Sequence, residues 1–224
     1  MKELAPGVFQ LRGFPPNGIN VFLLEDVLID AATKLAGRRI LGDLKGRKVS
    51  AHALTHAHPD HQGVSHKVCT TLGIPFWVGE RDVAAAEGGP EVIKATQPKI
   101  MLNNVIASMW AGPGHPVDRV LREGDEVAGF RVIDAPGHSP GQVAYWRESD
   151  RVLVLGDVVN TMNLLTTRPG LQEPPRPFTP DPVTNRASIR KLAELQPALV
   201  LAGHGPPWRD TQAFTDFAGS LSTD

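Results

Sequence analysis

Residues 55–61 read Thr-His-Ala-His-Pro-Asp-His and place His56, His58, Asp60 and His61 within six positions. In extended backbone, side chains two residues apart point to the same side, so His56 and His58 can grip one ion together. Pro59 helps turn the chain into the helix that follows. Asp60 and His61, on that bend, can face a second position close by. Imidazole with carboxylate is the donor mix of zinc, iron, manganese or nickel. One cysteine, Cys69, makes no thiolate site. A plainer assignment makes Asp60 a helix cap and the histidines polar loop residues. Three histidines and an aspartate in six positions would then have no cause.

Three further candidates stand alone. His138 lies in Ala-Pro-Gly-His-Ser-Pro-Gly (135–141), Asp157 directly follows Val-Leu-Val-Leu-Gly (152–156), and His204 lies in Leu-Val-Leu-Ala-Gly-His-Gly (199–205). Singly, each reads as a satisfied loop group. Beside the cluster, all three become ligands, because each sits where an apolar strand ends and such loops are where functional groups are positioned.

The elements that must carry these residues follow from local pattern. Extended runs at 7–13, 19–25 and 26–30 open the chain, the first two separated by Phe-Pro-Pro-Asn-Gly, a hairpin signal. Residues 33–46 space Leu35, Ile40, Leu41 and Leu44 as a helix would. A buried strand is expected at 48–55, a helix at 61–73 stopped by Gly73, a strand at 75–79 and a short helix at 80–89. Within 90–117 a short helix is expected inside a long connection. Strands resume at 118–121, 130–136, 142–148 and 151–156. After the proline-rich stretch 168–182 come a helix near 183–195, a strand at 198–203 and a final helix beyond Asp210. Strands interleaved with single helices, in two successive halves, imply sheets covered by helices on their outer faces.

Composition narrows the class. Hydrophobic residues at 41% and charged residues at 21% exclude a disordered or collagen-like chain. The formal charge of −1 argues against nucleic-acid or anionic-membrane partners. The sequence has no run of about 18 apolar residues, the length a membrane span requires. The lone Cys69 and the absence of a leader-like start lead us to expect a cytoplasmic protein. Glycine and proline, 22 and 20 of 224 residues, exceed the usual share of about 12% and indicate many loops.

The sequence His-x-His-x-Asp-His, then Gly-His-Ser-Pro-Gly, Gly-Asp and Gly-His, resembles the metallo-β-lactamase superfamily, in the style of its glyoxalase II-like branch. The upstream Leu-Leu-Glu-Asp-Val-Leu-Ile-Asp (23–30) extends the likeness over nearly the whole chain. The resemblance implies one α/β domain over 1–224, a four-layer αββα sandwich with the metal site at one edge between the sheets. By position, His56, His58 and His138 would hold one divalent ion, and Asp60, His61 and His204 a second. Asp157 would bridge the two. Zinc is the expected metal, with iron or manganese as alternatives. Asp30 matches a family aspartate that supports the histidine loop.

Two such ions, less the charges of Asp60, Asp157 and a bridging hydroxide, leave a net charge of about +1 that favours carbonyl or phosphoryl oxygen. The implied reaction is attack by the metal-bridging hydroxide on a small ester, lactone or thioester, with Asp60 relaying a proton. The alternative is a mononuclear-iron persulfide dioxygenase of the same fold. Asp157 argues against a β-lactamase, which usually lacks that carboxylate. Gln142 stands where glyoxalase II has a further histidine, and Arg209 is the lone basic residue after His204. Asn160 and Thr161 stand near the position where quorum-quenching lactonases place a tyrosine. Residues 99–117, with Met101, Met109 and Trp110, and 160–182 are expected to wall a small-molecule pocket or make a homodimer contact. Arg38, Arg39, Lys45, Arg47 and Lys48 read as a solvated face. Cys69 reads as a small core residue, and His52, His66 and His115 carry no motif. Tyr145 and Trp146 alternate in a strand, so that one faces the core.

Overall fold

The computed structural model describes residues 1–92 and 101–222. Its strands come from runs that are apolar on both faces. In β3 (Phe22–Leu24) and β4 (Val27–Ile29), Phe22, Leu24, Val27 and Ile29 face one core, while Leu23 and Leu28 face another. In β11 (Val152–Gly156), Val152 and Val154 part from Leu153 and Leu155 in the same way. A strand apolar on both sides must be covered on both, and that requirement stacks the layers.

The first sheet runs β1 (Lys2–Ala5), β2 (Val8–Gln10), β3, β4, β5 (Ala51–Ala53), β6 (Phe76–Gly79), β7 (Arg119–Leu121) in chain order. It is antiparallel through β4 and parallel from β4 onward. The second sheet comprises β8 (Glu126–Val127), β9 (Phe130–Asp134), β10 (Val143–Arg147), β11 and β14 (Leu199–Ala202), in the order β14-β11-β10-β9-β8. Only β14 and β11 are parallel there. A separate hairpin joins β12 (Asn160–Met162) to β13 (Pro169–Gln172).

Phe22, Ile29, Phe130, Tyr145 and Leu201 fill the space between the two sheets. Helices α1 (Gly37–Leu44) and α3 (Ser65–Leu72) cover the first sheet through Ile40, Leu44 and Val68. Helices α6 (Pro182–Ala193) and α7 (Thr211–Ser220) cover the second through Ile189, Leu192 and Phe214. The result is the expected αββα sandwich. Short helices α2 (Pro59–Gln62), α4 (Val83–Gly88) and α5 (Met101–Trp110) lie along the connections. Among the described residues no helix is long and apolar enough to cross a membrane.

The local expectations need several corrections, among them strand β8 and the β12–β13 hairpin, which the local pattern does not predict. Strand β1 escapes the pattern because Lys2 and Glu3 are exposed at the sheet's edge. The helix expected at 61–73 is split into α2 and α3 at Gly63. A side chain there would collide with the backbone of 32–34, which passes against it. The segment ahead of α1 winds as a 3-10 turn, Lys34–Ala36, with three residues per turn. That changes the register and leaves Leu35 79% exposed rather than in the core. Tyr145 and Trp146 are both buried, one between the sheets and the other beneath α6 and α7, because β10 has a core on each side.

Candidate metal centre

All seven candidate ligands meet at one edge of the sandwich. His56, His58, Asp60 and His61 follow β5, His138 follows β9, Asp157 follows β11, and His204 follows β14. Two groups form: His56, His58 and His138, and Asp60, His61, Asp157 and His204. Within each, the donor atoms lie within 4.8 Å of one another. The rings of His58 and His138 are 4.5 Å apart between centroids, as are those of His56 and His58. Asp157 touches both groups: one carboxylate oxygen lies 3.6 Å from His138 Nε2 and 3.0 Å from His204 Nε2. Its other oxygen is 3.4 Å from His61 Nε2.

The chain fixes each ligand from behind. Pro59 occupies the first turn of α2, where its missing N–H costs nothing, and His58 is still extended. Asp30, just past β4 in left-handed backbone (φ 61°), accepts the amide and hydroxyl of Thr55, each at 2.8 Å. The same carboxylate lies 2.9 Å from His61 Nδ1. This is the supporting place expected for Asp30. His138 Nδ1 is 3.1 Å from the Thr179 hydroxyl, which itself donates to the Pro175 carbonyl. His204 Nδ1 donates to the Gly18 carbonyl. Gly203 must lack a side chain, since a Cβ would run into Asp157 and His61.

Three positioning residues have no signature in the sequence. Asp82 is buried between the loops. It accepts the Ala57 amide at 2.8 Å, the Gly141 amide at 2.7 Å and the Ser139 hydroxyl at 2.7 Å. Burial pushes its carboxyl above the ordinary value despite these bonds. Asn20 donates to the carbonyls of Ala202 and Gly205, both at 2.8 Å, and so clasps the turn around His204. Thr179 is the third. All three act across long stretches of chain, where no spacing rule reaches.

Charge is divided between the two groups. Burial, reinforced by neighbouring imidazoles, holds His56 well below its ordinary value and His138 at about 3. Burial also brings His58 to about 4, although Asp60 opposes it. Burial works against the charged form of His204 too, but Asp157 and Asp60 outweigh it and lift this histidine to about 10. His61 is likewise raised, by Asp157, Asp30 and Asp60 against burial. For Asp60 and Asp157, burial opposes ionisation and the cationic histidines prevail, keeping Asp60 at about 2 and Asp157 well below the carboxylate range.

These donors fit divalent ions. The Nε2 atoms of His56, His61 and His138 and Oδ1 of Asp157 are buried without a hydrogen bond. Buried polar atoms seldom go unpaired, and a cluster of them on one point is the mark of a ligand site. The far side of several rings is engaged instead, by Asp30, Gly18 and Thr179, the outer contacts that orient a histidine toward a metal.

The centre floors a cavity of about 450 Å³. Its walls come from the loop at Phe14–Ile19, from Ile106 and Trp110 on α5, and from Met162, Leu164 and Phe178. Both stretches expected to wall a pocket therefore reach it. Met101 and Met109 do not line it; they point outward, 82% and 58% exposed, because Ile106 and Trp110 take the inner face of the helix. Residues 99 and 100 lie outside the described residues.

The remaining candidates serve the scaffold. His52 is fully buried between the Leu28 carbonyl and the Ser65 hydroxyl. His66 and His115 pair at 3.2 Å away from the centre. Gln142 donates to the Leu155 carbonyl, and Thr161 to the carbonyls of Pro206 and His204. Cys69 is buried in α3, its thiol pushed by burial up to about 12.

Comparison with known proteins agrees with this geometry. The probable metallo-hydrolase YflN of Bacillus subtilis (strain 168) is 32% identical over 200 residues, spanning 81% of this chain and 75% of that protein. The hydroxyacylglutathione hydrolase GloC of Haemophilus influenzae is 28% identical over 160 residues, 68% of this chain and 66% of that one. Among solved structures, the metallo-beta-lactamase family protein TTHA1429 of Thermus thermophilus superposes with a TM-score of 0.68 at 26% identity, covering 97% of this chain and 80% of that one. TTHA1623 in a di-iron-bound form gives 0.66 at 29%, covering 90% and 94%. The profile of the metallo-beta-lactamase superfamily matches residues 14–204, from the first wall of the cavity to the last histidine of the centre. The chain belongs to that superfamily.

Proposed function

We propose that the protein is a hydrolase of small esters, lactones or thioesters that works with two divalent ions, zinc first, with iron or manganese as alternatives. The observation that carries this reading is the position of Asp157, in reach of both histidine groups at once. His56, His58 and His138 would hold one ion, Asp60, His61 and His204 the other, with Asp157 shared. Such ions supply a nucleophile at neutral pH and polarise a carbonyl oxygen.

The chain's own residues supply the rest. Asp60 is the least buried carboxylate of the centre, 15% exposed against 7% for Asp157. It is therefore placed to pass a proton toward a leaving group. In the reaction, water's oxygen bonds to the acyl carbon, the acyl–oxygen or acyl–sulfur bond breaks, and the released alkoxide or thiolate takes that proton. Asp60 stays below the ordinary carboxylate range and so is ionised to accept it. Ile106, Trp110 and Phe178 line the cavity beside the reacting bond.

Elemental analysis of protein purified without added metal, joined to a screen of esters, lactones and thioesters, tests the reading. About two metal atoms per chain and turnover lost on chelation are expected. One iron per chain with oxygen uptake on persulfides, and no ester turnover, would replace it with the dioxygenase.

A further inference from the structure

The cavity over the centre carries more information than the reaction class. Beyond the ligands, its lining is mostly carbon, from Phe14, Ile19, Ile106, Trp110, Met162 and Phe178, with two hydroxyls, those of Thr33 and Thr167. Among the described residues no lysine or arginine lines it. Lys34, close by in sequence to the lining residue Thr33, has its ammonium turned onto the Ser108 carbonyl at 2.8 Å. The walls are also fastened to one another. Asn103, one turn before Ile106, donates to the Pro177 carbonyl beside Phe178 at 2.8 Å. Helix α5 and the 162–178 segment thus form one apolar funnel, with room for a ligand of small-molecule size.

We propose that this funnel takes an uncharged, apolar acyl chain or ring, and that the enzyme discriminates against substrates carrying a carboxylate remote from the reacting bond. The inference rests on the hydrolase reading for the word substrate, and on the cavity alone for the ligand. A carboxylate on the far part of the chain would lie mainly against side-chain carbon, with no cation among the described lining residues and only the hydroxyls of Thr33 and Thr167 to bond it, and burying an unpaired charge is costly. Each methylene that enters the funnel should strengthen binding about fourfold, the value that corresponds to transferring one methylene out of water.

Two measurements on the metal-loaded protein test this. The first compares kcat/KM over neutral esters with acyl chains of two to ten carbons and over the same chains ending in a carboxylate. The neutral series should climb about fourfold per methylene until the funnel is full. The carboxylate series should lose that gain, and Ile106→Ser should flatten the slope. The second follows tryptophan fluorescence as non-hydrolysable neutral or ω-carboxylate amides of the same lengths are added, with Trp110→Phe identifying the responding ring. Ester turnover that ignores chain length, or that favours the carboxylate series, would overturn the funnel assignment and leave the hydrolase standing. If no ester turns over, the amide titration decides alone. Length-dependent quenching by neutral amides would then uphold the funnel while the hydrolase reading falls, and its absence would sink the funnel too.

Discussion

The carboxylate of Asp82 accepts the hydroxyl of Ser139 at 2.7 Å and, on the same group, the amide of Ala57 at 2.8 Å. Ser139 adjoins His138, and Ala57 lies between His56 and His58. One buried side chain that is not itself a candidate ligand therefore sets the distance between the two loops of the three-histidine group. Asp82→Ala should leave the Ala57 and Gly141 amides unpaired, at about 1–3 kcal/mol each. For a chain of this length that corresponds to a melting temperature lower by roughly 5–15 °C. Metal retained after dialysis should fall with it. Unchanged melting and metal content would show that the loops hold their spacing without Asp82.

Asp157→Ala removes the carboxylate that reaches both sets of histidines. We expect metal per chain to drop by about half and ester turnover to fall by about 100-fold or more, the upper range seen when even an indirect metal contact is lost. Elemental analysis and steady-state kinetics on the same preparation check both. Wild-type turnover in this variant would remove Asp157 from the reaction.

Gly203→Ala adds a single carbon where Asp157 and His61 already stand. Strand β14 should survive, visible as unchanged far-UV circular dichroism, while metal binding and turnover are lost. Retained turnover would mean that the β14 end can shift without disturbing His204.

His52 gives a pH dependence that is separate from the metal centre. Its Nδ1–H donates to the Leu28 carbonyl and its Nε2 accepts the Ser65 hydroxyl, an arrangement only the neutral ring can make. Burial holds it at about 4, against 6.5 when unfolded. The unfolded chain thus binds the proton more readily, so the stabilisation is complete above pH 6.5 and is lost as pH falls toward 4. The full effect is about 3 kcal/mol. Melting curves for the wild type and His52→Asn should converge as pH falls from about 7 to about 4.5. A constant offset would show that His52 does not titrate in this range.

Cys69→Ala should leave turnover at the wild-type level, and thiol alkylation should not inhibit the native protein. The thiol is buried and held at about 12, far from a thiolate at neutral pH.

Much of the centre was legible in the sequence because its ligands sit at strand ends and four of them share one short segment. Strands interleaved with single helices, in two successive halves, likewise implied sheets covered by helices. What escaped notice depends on contacts between distant segments. Asp82 and Asn20 look like ordinary turn residues, and only packing brings them 59 and 182 residues across the chain to their partners. The outward face of Met101 and Met109 is another case: composition marked the helix as apolar, but the side turned to the cavity was decided by Asn103 and Pro177. Leu35 is turned outward by a single tight turn that spacing does not reveal.

The edge location of the centre also bears on how the molecule is assembled. His56, His58, Asp60 and His61 belong to the first half of the chain and the first sheet, whereas His138, Asp157 and His204 belong to the second. Neither half owns a complete donor set. An ion gripped by both would act as a rivet through the seam, so part of its affinity is conformational stability of the sandwich. A chelator would then loosen the joint between the sheets before it unfolded either of them. Order of assembly follows as well, since the full set of donors exists only after both halves have met.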